Sequence, residues 1–162
     1  MSLFWEHKDI ASCTPTEVLS WCKLRTDVFF LEQHITEEEI DALDSDPATQ
    51  HIWCHDGTTT VGYVRVVRQE PSPPGDQGIT TSIGRLVVHE DYRRQGLAAE
   101  LMRRALDACG DGDVILHAQT YIQDFYAGLG FEPVGVELDE AVIALIRMEG
   151  IGSAGWECWC WD

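Results

Sequence analysis

One stretch limits what this chain can fold into more than any other. From Ile83 to Val88 the residues are dense in Ile, Leu and Val, the composition of a buried strand, and from Leu97 onward apolar residues recur at helical spacing, Leu97, Leu101 and Ala105 with Ala98 and Met102 beside them. Between the two lies a short polar turn that ends in Arg93-Arg94-Gln95-Gly96-Leu97-Ala98. Strand, turn and helix in that order put a helix N-terminus at Gly96. The first turn of a helix carries about four main-chain N–H groups without intrahelical acceptors, at the positive end of the macrodipole, so such a turn can wrap its amides round an anion. Gly96 lets the backbone come close, and Ala98 and Ala99 leave the following turn uncluttered.

The charge pattern agrees. Of 11 Lys and Arg residues, Arg93, Arg94, Arg103 and Arg104 fall in this one stretch, in a chain with 28 acidic residues and a formal net charge of −17. That concentration points to an anionic ligand, a phosphate or pyrophosphate. The acidic balance elsewhere argues against nucleic acid and anionic membranes, whose binding rests on clustered Lys and Arg. It fits a cationic acceptor such as an amine, and it also fits plain solubility.

A length of 162 residues, 44% of them hydrophobic, suits one globular domain, expected over 1–149, with a Trp- and Cys-rich tail over 150–162 whose role the residues do not give. The longest apolar run, Ala141 to Ile146, falls short of the ~18 residues of a membrane helix. Glu6, Lys8 and Asp9 interrupt the segment where an export signal would be apolar, so a cytoplasmic location is expected. Cysteines at 13, 22, 54, 109, 158 and 160 then read as free thiols. His51 and His55 have the spacing of a metal pair on a helix, but His51 to Cys54 reads as a strand, which holds the rings too far apart to share an ion; no metal is expected.

In chain order, Phe4 to His7 reads as a strand, and Thr14 with Glu17 forms a capping box opening a helix that puts Val18, Trp21, Cys22, Arg25, Val28 and Phe29 on one face. A buried Arg25 needs a carboxylate, from Glu32 or the acidic stretch up to Gln50. His51 to Cys54 and Thr59 to Arg68 form a hairpin about Asp56-Gly57, and Pro71 to Gly78 is a surface loop. Asp113 to Gln119 is a strand with His117 and Gln119 on one face. A helix follows, with Ile122, Phe125, Tyr126 and Leu129 in a stripe and Gly130 as C-cap; Phe131 to Leu138 and Ala141 to Met148 close the fold as an antiparallel pair.

Leu86-Val87-Val88 followed by Arg93-Arg94-Gln95-Gly96-Leu97-Ala98 resembles the acyl-CoA signature of the GNAT superfamily of N-acetyltransferases: Arg or Gln, two residues, Gly, one residue, Gly or Ala. Leu24 to Gln33, and Ala118-Gln119 with Tyr121 to Phe131, resemble the ElaA-type branch of that family. The resemblance implies an α/β domain with a mixed, mostly antiparallel central sheet flanked by helices. It implies acetyl-CoA as acyl donor, its pyrophosphate held by Arg93 to Ala99 and its pantetheine along Leu86 to Val88, with Gln119 and Phe125 in matching stretches. Tyr126 falls where the Phe-Tyr before Gly-Phe motif places a general acid, and Arg25, Glu32 and Gln33 fall where the branch shapes its acceptor site. A homodimer is compatible with this reading. Where the branch carries Gly-Ile-Pro-His, this chain has Val142-Ile143-Ala144-Leu145, which bears on the acceptor and leaves the CoA side intact.

Acyl transfer from a thioester to an amine needs a neutral amine, donors for the developing oxyanion and a proton for the thiolate. A tyrosine hydroxyl can supply that proton. For the base, His117 has the right titration range and Glu32 could act through water; no motif fixes either. The expected activity is acetyl transfer to a primary amine of a small molecule or peptide. A longer acyl donor, as in acyl-homoserine lactone synthases, and a catalytically silent acyl-CoA-binding module are the alternatives.

Overall fold

The computed structural model describes residues 2–137 and 140–145. The tail over 150–162 and the end of the last expected strand, 146–148, lie outside the described residues. The strands are β1 (Phe4–Lys8), β2 (Gln50–His55), β3 (Thr60–Arg68), β4 (Thr81–Val88), β5 (Val114–Gln119), β6 (Glu132–Glu137) and β7 (Glu140–Leu145); the helices are α1 (Pro15–Arg25), α2 (Leu97–Cys109) and α3 (Gln123–Ala127). The Cα positions cluster into two compact units, Met1–Val67 with Arg85–Ala108, and Arg68–Gly84 with Cys109–Asp162.

In the first unit the strand order is β1-β2-β3-β4, with β1, β2 and β3 antiparallel. The hairpin turns about Asp56-Gly57 as its sequence requires: Gly57 takes a left-handed φ of 102°, and the Asp56 carboxylate accepts from the Thr58 and Thr59 amides. Burial covers both faces of β3, from Thr60 to Val67. Gly62 lets α2 lie directly on this strand, since a Cβ there would stand 2.9 Å from Leu101 Cδ1 and 3.0 Å from Cys54 Sγ.

The capping box forms: Glu17 N donates to Thr14 Oγ1 at 3.2 Å, Thr14 N donates to Glu17 Oε2 at 2.8 Å, and Pro15 opens α1. The helix does not run on in α geometry. It passes into a π-helix over Thr26–Glu32, where Gln33 N reaches back to Val28 O at 2.9 Å. The expected apolar face nonetheless holds across it, with Val18, Cys22 and Phe29 packed partly buried against the core. Val28 still packs in a core with Trp21, Leu24, Trp53, Tyr63 and Val87, whereas Phe30 and Leu31 emerge 48% and 60% exposed.

Arg25 is fully buried, and the acidic stretch supplies its partners. It donates to Asp44 at 2.7 and 3.1 Å and to Glu39 Oε1 at 2.7 Å, and its guanidinium lies 5.6 Å from the Trp21 ring. Arg65 donates to Asp44 at 2.9 Å and to both Asp41 oxygens. Asp44 also accepts from its neighbour's amide, Asp41 N, at 3.0 Å. Burial alone would raise the Asp44 pKa; the hydrogen bonds and charge of Arg25, with the charge of Arg65, outweigh it and bring it down to about 2. Glu39, Asp41 and Asp44 are therefore all held in ion pairs, Asp44 buried and the other two partly so. His51 is buried in the same core: it shares a 2.7 Å hydrogen bond with the Tyr63 hydroxyl and a 3.1 Å one with Asp44 O, which occupies both ring nitrogens.

In the second unit the order is β4-β5-β7-β6. β4 and β5 are parallel at Ser82↔Ile115, and β5, β7 and β6 are antiparallel, so the sheet is mixed and mostly antiparallel as expected. The helix after β5 is shorter than its apolar stripe suggests. Thr120–Ile122 is a 3₁₀ turn, α3 ends at Ala127, and Gly130 takes its left-handed φ of 94° three residues later.

Removing the carboxylate at position 44 leaves two buried guanidinium groups short of a partner, and Asp44→Asn should cost about 3–5 kcal/mol in denaturant unfolding. Because the folded pKa is depressed, the stabilisation from Asp44 is complete above about pH 4 and is lost as pH falls through about 2; the variant should lack that part of the acid-unfolding profile.

Candidate active site

The segment leaving β4 folds into a cradle at the start of α2. His89 N donates to Val61 O at 2.8 Å, Glu90–Tyr92 makes one 3₁₀ turn, and the Tyr92 hydroxyl donates to Asp56 at 3.2 Å. Arg94 and Gly96 then take left-handed φ angles of 60° and 77°, which turn the chain back so that the helix begins with Glu100 N bonded to Gly96 O at 3.1 Å. Glycine takes such an angle freely and an arginine does so at some cost. Leu97, Leu101, Met102, Ala105 and Leu106 bury the inner face of the helix and fix its direction. Among the described residues, the main-chain amides of Gly96, Leu97, Ala98 and Ala99 donate to no protein acceptor, and the Arg94 side chain makes no ion pair. Bare amides at a helix N-terminus can take an anion.

The other arginines of the stretch are spoken for. Arg103 and Arg104 both pair with Glu100, and Arg104 stacks 3.9 Å over the Trp5 ring, so neither extends the positive charge of the cradle. Arg93 donates to both oxygens of Glu32, at 2.8 Å to Oε2, and through Nε to Val88 O at 3.0 Å. Two residues expected in different roles are thus one ion pair. The hydrogen bond from Arg93 lowers the Glu32 pKa and makes that carboxylate a poorer base. Gln33 is exposed, and its amide closes the π-helix.

β4 carries a feature that sequence reading missed. Arg85, within the strand, has a left-handed φ of 57°. Such a conformation in a non-glycine residue costs of order 1–3 kcal/mol and persists when its surroundings hold it. Here Arg85 donates to Glu39 O and to Asp41, each at 3.3 Å, and lies 3.2 Å from the Glu39 carboxylate. Only Gly84, the residue before it, hinted at irregularity. Beyond the break Val87 is buried, while Leu86 and Val88 stay half-buried.

The second unit holds Tyr126, His117, Gln119 and Phe125. Tyr126 is 6% exposed, with Phe125 and Phe131 edge-on at 5.0 and 6.0 Å. Burial, with Tyr121 adding to it, pushes its pKa up to about 12. The group therefore keeps its proton throughout the neutral range. Among the described residues, Trp21 Nε1 is the buried side-chain nitrogen or oxygen without a hydrogen-bond partner, and the Tyr126 hydroxyl is not in that position. Phe125 stands at the surface, 36% exposed, and Gln119 ends β5 half-buried. His117, on β5 opposite Val142, pairs with Asp76 at 2.8 Å.

A family model described as an acetyltransferase (GNAT) domain matches residues 11–151. The chain belongs to the GNAT acetyltransferase family. It is 28% identical to Protein ElaA of Escherichia coli over 89% of its length and 94% of that protein, and the ElaA crystal structure superposes with a TM-score of 0.78. An acyl-CoA N-acyltransferase from Pseudomonas aeruginosa is 33% identical, with a TM-score of 0.79 over 89% of this chain and 99% of that one. A CoA-dependent acyl-homoserine lactone synthase shares the fold at 21% identity, a TM-score of 0.65, 84% of this chain and 78% of that one. The protein is thus a GNAT-type acyltransferase, a class that takes its acyl group from acyl-CoA and passes it to an amine.

Nothing lies within 4 Å of a Cβ added at Gly96, but the backbone there is left-handed. Gly96→Val should cost about 1–2 kcal/mol of stability if the conformation is kept. If the loop relaxes, calorimetry should find coenzyme A affinity down about tenfold or more, roughly 1.4 kcal/mol.

Proposed function

We propose that the protein transfers an acetyl group from acetyl-CoA to a primary amine of a small molecule or peptide by direct attack of the amine on the thioester. The observation that carries this reading is the cradle at Gly96 to Ala99, whose amides have no protein acceptor among the described residues and which Arg94 flanks with an unpaired charge. These amides hold the pyrophosphate, and Leu86 to Val88 run beside the pantetheine. The net charge of −17 favours an acceptor that is cationic in water. Before it can attack, that amine must lose a proton.

Tyr126 gives the departing thiolate its proton. Its position in the Phe-Tyr before Gly-Phe motif supports this role, as does a pKa of about 12, which keeps the hydroxyl protonated wherever the enzyme works. Since Arg93 holds Glu32 in its ionised form, the base is assigned to His117. The residues in the acceptor stretch divide by environment. Arg25 is locked in the core and bears on the acceptor stretch through the acidic residues it holds, while Gln33 is exposed beside Glu32 in sequence and free to meet the acceptor.

The test is thiol release from acetyl-CoA in the presence of polyamines, amino acids, aminoglycosides and peptides, with hexanoyl-CoA as a parallel donor. Turnover of acetyl-CoA with at least one primary amine is expected. Coenzyme A binding without turnover across the panel, or a preference for the hexanoyl donor, contradicts the reading. Tyr126→Phe should lower kcat by about 10²- to 10⁴-fold with coenzyme A affinity unchanged. For the wild type, the raised tyrosine pKa means that kcat should show no falling limb from Tyr126 ionisation up to about pH 10, because deprotonation sets in only near 12.

A further inference from the structure

We propose that Asp76 is a positioning residue for acyl transfer, holding the His117 imidazole so that Nε2–H points inward and Nδ1 is presented as the base that takes the acceptor's proton. The role of Nδ1 rests on the acetyl-transfer reading above; the placement of the ring does not.

Asp76 sits in the Pro- and Gly-rich loop between β3 and β4 that its composition marks as surface. Pro71, Pro74, Gly75, Gln77 and Gly78 are indeed exposed, but Asp76 among them is 5% exposed. Left-handed angles at Gly75, Gln77 and Gly78 coil the loop about it. The loop does not need the carboxylate to hold its shape. Asp76 N donates to Pro73 O at 3.2 Å, Ile79 N to Asp76 O at 2.9 Å and Ser72 Oγ to Ile79 O at 2.6 Å, and Ile79 packs on Ile115 and Val142. What remains is a buried carboxylate, costly unless paired, whose side-chain partner is His117 Nε2 at 2.8 Å.

His117 lies two residues along β5 from the Ser82↔Ile115 pairing and opposite Val142 on β7. Its side chain is 39% exposed, and among the described residues Nδ1 has no hydrogen-bond partner. Asp76 is the charged group that meets the ring there; Val142 across the ladder, and Ile115 and Ile79 in the adjoining apolar cluster, carry no charge. An ionised carboxylate only accepts, so the nitrogen facing it carries the hydrogen, and in the neutral ring the outer nitrogen has the lone pair. A carboxylate bonded to one imidazole nitrogen while the other acts as base is how the Ser-His-Asp triad fixes its tautomer.

In the step, the amine nitrogen, its ammonium proton already released to solvent, bonds to the thioester carbon, the carbon–sulfur bond breaks, and the second proton leaving nitrogen goes to Nδ1. The thiolate takes the Tyr126 proton, and the imidazolium proton returns to the tyrosinate through solvent. Amide and free thiol leave with the enzyme restored.

The experiment is ¹⁵N NMR of histidine rings in the full-length protein, with steady-state kinetics on the same samples. Wild-type His117 should show the Nε2–H tautomer. Asp76→Asn, whose amide can donate to Nε2, should shift it toward Nδ1–H and lower kcat by about 10²- to 10⁴-fold, with coenzyme A affinity unchanged and Asp76→Glu recovering part of the loss. His117→Gln keeps a donor for Asp76, so it should keep the melting temperature and lose the same activity. An unchanged tautomer in Asp76→Asn, or unchanged kcat in either Asp76→Asn or His117→Gln, overturns the proposal. If the wild type turns over no amine, the acyl-transfer reading and the base role fail together, while the ring spectra still decide whether Asp76 sets the tautomer.

Discussion

A guanidinium enters a protein core only with carboxylates to meet it, and much of the first unit follows from how Arg25 is met. Asp44 and Glu39 come to it from the acidic stretch, Asp44 also takes Arg65, and Glu39 and Asp41 reach on to Arg85. Three arginines on α1, β3 and β4 thereby fix a segment whose composition suggests a solvated loop. The same carboxylates hold Arg85 in a left-handed conformation within β4, the strand that leads to the anion cradle. The charge cluster thus helps to set the backbone of the strand that precedes the α2 N-terminus.

The cradle depends on geometry more than on charge. Of its nearby arginines, Arg93 is held by Glu32 and Arg104 by Glu100, which leaves Arg94 and the bare amides of the α2 first turn as the attractive elements. Main-chain amides do not titrate, and their direction is set by the inner face of α2, seated on β3 through Gly62. The Glu32–Arg93 pair adds a tie between the π-helix and the loop. In the second unit, burial keeps the Tyr126 proton in place, and a buried carboxylate in an otherwise exposed loop meets the one histidine of β5.

What the sequence reveals and hides follows the range of the interactions involved. Local signals read well: Thr14 with Glu17 capped α1, Asp56-Gly57 turned the hairpin, and the apolar spacing from Leu97 gave α2 and its glycine-led start. The mixed, mostly antiparallel sheet was likewise legible, through a family signature local to β4 and α2. Long-range effects did not read. The π-helix was one of these: its turn leaves Val28 in the core and Phe30 and Leu31 exposed, and periodicity alone extends the α-helix through them. The need of Arg25 for a carboxylate was evident, but its partners lie 14 and 19 residues away. Gly84 alone hinted at an irregular strand, and nothing in Arg85 itself marks it as left-handed. Asp76 was hidden by its neighbours, because a Pro- and Gly-rich composition predicts exposure and one residue in it is buried by a contact 41 positions distant.

The most direct test of the account is the response of individual backbone amides to coenzyme A, followed by ¹⁵N-resolved NMR titration with pantetheine as the phosphate-free control. Gly96, Leu97, Ala98 and Ala99 should show the largest shifts with coenzyme A and little change with pantetheine. Saturation by coenzyme A that leaves these four resonances where they began, with the large shifts elsewhere, would contradict the assignment of the α2 N-terminus as the donor site.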